Sequence, residues 1–219
     1  LWVATNKDGA VMLDPQRKAI TRLEDSIPGF KSRNILSFAG TGDDVWIGTT
    51  GDGLYRVDGA GHLQAWRNDP QDPQSLPGNI VPSISASSDG SLWIATTAGL
   101  AHMRAGRIER IALPNSTPAP FIYAVHATGR GVWVGADSGV YYLDADGRWH
   151  VPAWSETFKR PNAALRIVPD RGELWIGSQK HLWHVFPGQA PTTIDPEGRP
   201  LELAVHGVVV GPNGEVWAG

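Results

Sequence analysis

The sequence predicts an all-β fold, a β-propeller built from four-stranded antiparallel blades. Two observations predict it: a tryptophan-containing word recurs along the whole chain, and turn residues recur at fixed places around each word. Units of about forty residues with four strands each are typical of propeller blades. The 26 glycines and 17 prolines among 219 residues agree with this, because they suit many short strands joined by tight turns.

The repeated word is centred on tryptophans that lie 44, 47, 40, 42 and 42 residues apart: Trp2, Trp46, Trp93, Trp133, Trp175 and Trp217. The words occupy residues 1–5, 45–49, 92–96, 132–136, 174–178 and 216–219. We expect each indole to pack between one blade and the next, because a sheet with two apolar faces needs both of them covered. The glycine or alanine two residues later would leave room for the neighbouring backbone.

The third repeat gives the expected order of strands within a blade. Turn signals at Asp89-Gly90 and before Gly99 divide it into short apolar runs. We predict strand A at Ile80–Ser87, strand B at Ser91–Thr96, strand C at Gly99–Arg104 and strand D at Arg107–Leu113.

About five blade repeats are visible in the sequence. The first repeat lacks strand A, and the last has strand A, at about Leu203–Val210, and the start of strand B. In a closed five-bladed ring, the word at 216–219 would duplicate the word at 1–5. We therefore interpret residues 1–219 as one propeller segment of a larger ring of about six to eight blades.

Composition excludes several classes of function. The net charge is −3, with no run of either sign, so nucleic acid is not an expected partner. The absence of cysteine excludes disulfides and zinc–thiolate sites. His181 and His184 would lie on opposite faces of a strand, and the Asp-Gly pairs fit turns, so we expect neither a metal site nor a cofactor.

Loops at the rim of the central channel are the expected place for a ligand, because D–A and B–C loops share that rim. We expect no conventional catalytic residue. His126 and His206 fall in A strands, which line the channel, and His206 joins the candidate ligand residues. The loop candidates are Lys31, Arg33, Asn34, Asn79, Tyr123, Arg160 and Asn162 on D–A loops, and Asn6, Lys7, Asp52, Asp137, Gln179 and Lys180 on B–C loops.

Tyr123, with Phe121 nearby, could stack on the face of a sugar while arginine and asparagine side chains bind its hydroxyls. The same residues fit an alternative description as ordinary solvated loop residues.

The linker between the second and third repeats contains Asn68-Asp69-Pro70 and Ser75-Leu76, and it is followed by Asp89-Gly90, Leu92-Trp93-Ile94-Ala95-Thr96 and Gly99-Leu100. This arrangement resembles the two-component regulator propeller repeat, most strongly in repeats two and three. The resemblance implies a seven-bladed propeller in the periplasmic sensor region of a membrane-anchored hybrid sensor kinase or diguanylate cyclase. Carbohydrates are frequent ligands of such regions.

The first functional hypothesis is therefore a periplasmic sensor module that binds a small molecule or an oligosaccharide and acts on signalling domains of the same polypeptide. The segment itself is expected to be non-catalytic. A propeller enzyme of the lyase or glycosidase type, with His126 or His206 at the channel mouth, is the first alternative. A protein-interaction propeller, for example one that forms a homodimer, is the second.

Overall fold

The computed structural model describes residues 2–4, 9–14, 19–116, 118–194 and 204–219, and these residues form antiparallel sheets that confirm the expected propeller blades. The chain divides into two compact units, Leu1–Ile111 and Ala112–Gly219. Asn6 and Lys7, the ends of the first word and the expected strand start at Leu203 lie outside the described residues. Within the described part, no helix has the length and apolar character needed to span a bilayer.

The N-terminal unit contains blades 1 to 3, in which neighbouring strands are consecutive in the chain. Blade 1 has three described strands and is followed by a short helix: β1 (Trp2–Ala4), β2 (Ala10–Asp14), β3 (Ala19–Arg22) and α1 (Leu23–Ser26). Blade 2 consists of β4 (Ile35–Thr41), β5 (Asp44–Thr49), β6 (Leu54–Val57) and β7 (Leu63–Trp66). Blade 3 consists of β8 (Ser83–Ala86), β9 (Leu92–Thr96), β10 (Gly99–Arg104) and β11 (Arg107–Ile111).

The C-terminal unit contains blades 4 to 6 with the same connectivity. Blade 4 consists of β12 (Ile122–Thr128), β13 (Gly131–Ala136), β14 (Gly139–Asp144) and β15 (Trp149–His150), followed by a 3₁₀ helix (Ser155–Phe158). Blade 5 consists of β16 (Arg166–Asp170), β17 (Glu173–Gly177), β18 (Leu182–Val185) and β19 (Thr192–Thr193). Blade 6 has two described strands, β20 (Val208–Val210) and β21 (Val216–Ala218).

Strand A of blade 3 is shorter than the sequence predicts, beginning at Ser83 instead of Ile80. Ile80 instead forms a β-bridge with Thr50, and the N–H of Val81 donates to the carbonyl of Thr49 at 2.9 Å. The residues that precede strand A therefore pair with the end of strand B in blade 2. Strand C matches its predicted bounds, and strand D ends at Ile111 instead of Leu113.

The glycine of the word provides the close approach that the sequence predicts. In three blades, a Cβ added to this glycine would lie 2.5 to 2.7 Å from a carbonyl oxygen just before the next blade's strand A: Gly48 against Val81, Gly135 against Ala164 and Gly177 against Val205. Real Cβ contacts are never this short, so a larger residue would push adjacent blades apart.

The word tryptophans are buried to different degrees. Trp46 and Trp93 are each 7% exposed, and Trp46 packs with Leu92 and Met103 of blade 3, as expected of an indole between blades. Trp217 contradicts the expectation, because it is 70% exposed. It pairs with the exposed Val209 across β20 and β21, and the described residues place no further sheet over this pair.

Candidate ligand site

A side chain on strand C lies against each described word tryptophan from blade 2 to blade 5, which sequence reasoning missed. In two blades the partner is a histidine whose ring stacks on the indole, with centroids 4.0 Å apart for Trp93–His102 and 3.9 Å apart for Trp175–His184. Blade 4 uses Tyr142 on Trp133 and blade 2 uses Arg56 on Trp46. The signal was available, because the partner always follows its tryptophan by nine or ten residues.

Polar groups of the A–B hairpin hold these stacked histidines in place. Nε2 of His102 lies 2.9 Å from the Ser91 hydroxyl, which donates to Asp89 at 2.6 Å. Burial lowers the pKa of His102, and the Ser91 hydrogen bonds lower the pKa of Asp89. Nε2 of His184 lies 2.7 Å from a Glu173 carboxylate oxygen. These histidines therefore serve blade packing, and no cluster of three potential metal-ligating side chains occurs among the described residues.

The linker between blades 2 and 3 (residues 67–82, linker 2–3) uses its own polar groups internally. The Asn68 amide donates to the carbonyls of Leu76 and Pro77, and the Ser75 hydroxyl donates to the Asp69 carbonyl at 2.8 Å. Arg110 on β11 donates to the carbonyls of Ser75 and Leu76. Leu76 itself is fully buried in the core between blades 2 and 3. These contacts fix linker 2–3 in place, so we assign it a structural role.

The site candidates of the N-terminal unit are not joined to one another by any hydrogen bond or ion pair within the described residues. Arg33 lies 3.7 Å from the Glu24 carboxylate, and Oδ1 of Asn79 accepts from the Asn68 N–H at 2.7 Å. The other three candidates are exposed: Lys31, Asn34 and Asp52.

Most candidates of the C-terminal unit, though not Asp137 or His206, lie on one cleft of about 580 Å³ between the D–A linker of blade 4 and the B–C loop of blade 5. Five of the predicted loop residues line it, together with His181: Tyr123, Arg160, Asn162, Gln179 and Lys180. The geometry thus brings together residues that are up to 57 positions apart in the chain, from 123 to 180. Whether these residues bind a ligand stays a prediction.

Arg160 makes several contacts with aromatic side chains at this cleft. Its Nε donates to the Tyr123 hydroxyl at 3.0 Å, its Nη2 donates to the same oxygen, and its guanidinium lies 4.9 Å from the Phe121 ring centroid. The Tyr123 hydrogen bonds raise the pKa of Arg160 above its ordinary value. The Asp137 carboxylate lies 4.0 Å from Nε. Arg160 is therefore held by aromatic side chains at an open position.

The linker between blades 4 and 5 (residues 151–165, linker 4–5) fixes the position of Arg160 at the cleft through its buried residues. Phe158 is fully buried in the core of the C-terminal unit, and the Ser155 hydroxyl accepts the N–H of Val140 at 2.9 Å. The backbone N–H of Arg160 then donates to the Asp137 carbonyl at 3.0 Å. The buried 3₁₀ helix thus anchors the segment from which Arg160 projects.

His126 lies on β12 as predicted, but His206 precedes β20, which begins at Val208 and is shorter than the predicted strand A; neither histidine lines this cleft. A hydrogen bond links His126 to the Ile167 backbone on the innermost strand of blade 5, and burial lowers its pKa. His206 is exposed, and its carbonyl accepts from Arg166 at 3.2 Å. In the described part of the chain, no hydrogen bond or ion pair joins either imidazole to a carboxylate.

The sequence model of the two-component regulator propeller family matches residues 75–98. The chain carries a two-component regulator propeller repeat. This repeat begins at Ser75 and Leu76 of linker 2–3 and contains β8 and β9 with Trp93. Ser75 and Leu76 of this repeat make contacts that hold linker 2–3 in place, and Trp93 is buried on the face of blade 3. No curated protein matches the chain in sequence.

The chain is similar in structure to several solved domains, two of them from hybrid two-component systems. The extracellular domain of the proposed hybrid two-component system BT4673 from B. thetaiotaomicron superposes with a TM-score of 0.82 at 19% identity, over 100% of this chain and 30% of that one. The corresponding domain of BT3049 gives 0.75 at 19% identity, over 99% and 30%. The RRP9 WD40 repeats give 0.58 at 10% identity, over 80% and 54%. The chain thus spans about a third of the first two, and the likeness establishes the propeller fold.

Proposed function

We propose that the chain is part of the extracytoplasmic, periplasmic sensor region of a hybrid two-component signalling protein. The single observation that carries this proposal is the two-component regulator propeller repeat at residues 75–98. The likeness to extracellular domains of two hybrid systems supports the same role. A kinase of the same polypeptide is the proposed output domain, and a diguanylate cyclase is the alternative output for this type of repeat.

The proposed role of the segment is to bind a ligand rather than to transform one. An oligosaccharide fits the cleft of the C-terminal unit, because aromatic rings, amides and cations surround a volume suited to a few sugar rings. The loops stand on four-stranded sheets, so the ligand contacts are held at fixed positions. All lining residues of this cleft belong to one compact unit of the chain.

Phosphorylation of the native full-length protein in membrane vesicles would test the sensing role. A panel of neutral and acidic oligosaccharides is added on the side that carries the propeller, and phosphate on the kinase domain is measured. We expect at least one oligosaccharide to change phosphorylation several-fold, and the change to be lost in Tyr123→Ala but kept in Arg148→Ala, an exposed position outside the cleft. A constant signal across the whole panel would contradict the proposal.

A further inference from the structure

Arg160 offers an unused hydrogen-bonding edge to the cleft. The N–H donors of a guanidinium lie in one plane, and Tyr123 occupies the edge formed by Nε and Nη2. Within the described residues, Nη1 has no recorded protein partner, and the side chain is 56% exposed. The end-on edge of Nη1 and Nη2 is therefore open toward solvent. An end-on guanidinium binds two oxygens of one planar anion.

The cleft around this edge is positively charged, against the sign of the whole chain. Lys180 lines it as a second, exposed cation, and none of the eight lining residues is acidic. The nearest recorded carboxylate to Arg160 belongs to Asp137, which faces Nε and does not line the cleft. Because the whole chain carries −3, Arg160 and Lys180 concentrate positive charge locally at this cleft.

The uncharged part of the cleft suits sugar rings. Tyr123 provides an aromatic ring beside the arginine, and Asn162 and Gln179 provide amides. Nδ2 of Asn162 is already used, since it donates to the Thr157 carbonyl at 3.0 Å, so its Oδ1 can accept from a hydroxyl. Aromatic faces and amides recognise the carbon face and the hydroxyls of a sugar, but they give no preference for charge.

We propose that this cleft binds an acidic oligosaccharide, with the carboxylate of a uronate residue held by the end-on edge of Arg160 and by Lys180. This inference rests on the proposed sensing function and adds the chemical class of the ligand. The Phe121 and Tyr123 contacts hold the guanidinium before the ligand arrives, so binding loses little side-chain entropy. A sulfate ester is also an anion that a sugar can carry, so the experiment below distinguishes recognition of a carboxylate from recognition of sulfate.

Calorimetric titration of the full-length protein with trigalacturonate, its methyl ester and neutral trigalactose tests the proposal. We expect the acid to bind at least about tenfold more tightly than the ester, because a charge-assisted hydrogen bond is lost on esterification. Arg160→Gln should weaken binding of the acid by about tenfold or more, and Arg160→Lys, which keeps the charge, by less. Arg148→Ala, the matched cation outside the cleft, should leave it unchanged.

Several outcomes would overturn the proposal. Equal affinity for acid and ester, or unchanged affinity in Arg160→Gln, would remove the carboxylate contact while leaving oligosaccharide sensing intact. Competition by inorganic sulfate as strong as that by free galacturonate would replace carboxylate recognition with general anion binding. Failure of every carbohydrate to bind would contradict the proposed function as well. Should Arg160→Gln not fold, Lys180→Gln replaces it, with an expected loss of about threefold that is absent in Arg148→Ala.

Discussion

Linker 2–3 and linker 4–5 occupy the same place between consecutive blades, but their arginine contacts differ. Arg110, on β11 of blade 3, donates to the carbonyls of Ser75 and Leu76 in linker 2–3. In linker 4–5, Arg160 lies over Phe121 and keeps an open edge toward the cleft. The first contact holds linker 2–3 to a strand of blade 3, and the second presents a positive charge to solvent.

On the basis of this difference, we assign linker 2–3 a structural role and linker 4–5 to the candidate ligand site. The linker that matches the two-component regulator propeller pattern is the one whose polar groups are satisfied internally. Linker 4–5, which departs from the pattern, lines the cleft that contains Arg160, whereas Pro73 and Gln74 of linker 2–3 line a separate cleft of about 570 Å³ beside blade 3. A repeat motif records what every blade needs, so residues that distinguish one ligand from another are expected where the repeats diverge.

The largest effect is expected at Leu76, the buried anchor of linker 2–3. Leu76→Ala should lower the free energy of unfolding by about 2–5 kcal/mol, because it opens a cavity between blades 2 and 3. Val151→Ala is the matched control in linker 4–5, since Val151 is half exposed, and its effect should stay below about 0.5 kcal/mol. Urea unfolding measures both, and similar values for the two would refute the scaffold role of linker 2–3.

A smaller loss of about 1 kcal/mol is expected for Arg110→Ala, since its hydrogen bonds to the linker carbonyls are partly exposed to water. Arg107→Ala on the same strand removes the same charge without recorded hydrogen bonds to the linker, and should leave the unfolding midpoint unchanged. An equal effect of the two substitutions would mean that charge, rather than linker anchoring, matters.

The smallest expected effect is a pH dependence from the buried histidine of blade 3. Burial lowers the pKa of folded His102 below 6.5, so the unfolded state binds the proton more readily. The stabilisation from neutral His102 is therefore complete above pH 6.5 and is lost as the pH falls from 6.5 toward the lowered folded value. His126 contributes in the same direction. The midpoint temperature of thermal unfolding should fall less steeply between pH 7 and 5 in His102→Gln than in the unsubstituted protein. An equally steep fall in both proteins would exclude this role of His102.

Much of the fold could be predicted because it depends on local rules. The word around Trp93, the turn at Asp89-Gly90 and strand C at Gly99–Arg104 follow from side-chain alternation and turn residues. The shortened strand A could not be predicted, since Ile80 pairs with Thr50 of the preceding blade. That pairing depends on how adjacent blades meet, which a single repeat does not encode.

Chain position predicted which candidate residues lie near one another, but not which of their polar groups already have partners. Loop position placed Tyr123, Arg160 and Lys180 on one rim, and the structure brings them to one cleft. The same rule selected Asn79, whose Oδ1 accepts a backbone hydrogen bond inside linker 2–3. Chain position cannot distinguish an amide used by the scaffold from one left open, because the distinction depends on a partner eleven residues away.

The most direct test measures stability and ligand binding on the same two substitutions, Arg110→Ala and Arg160→Ala. The account predicts that Arg110→Ala lowers the urea midpoint and leaves the affinity for trigalacturonate unchanged. It predicts that Arg160→Ala weakens that affinity by about tenfold or more and leaves the urea midpoint unchanged. Loss of binding in Arg110→Ala with full binding in Arg160→Ala would contradict the division of the two linkers into scaffold and site.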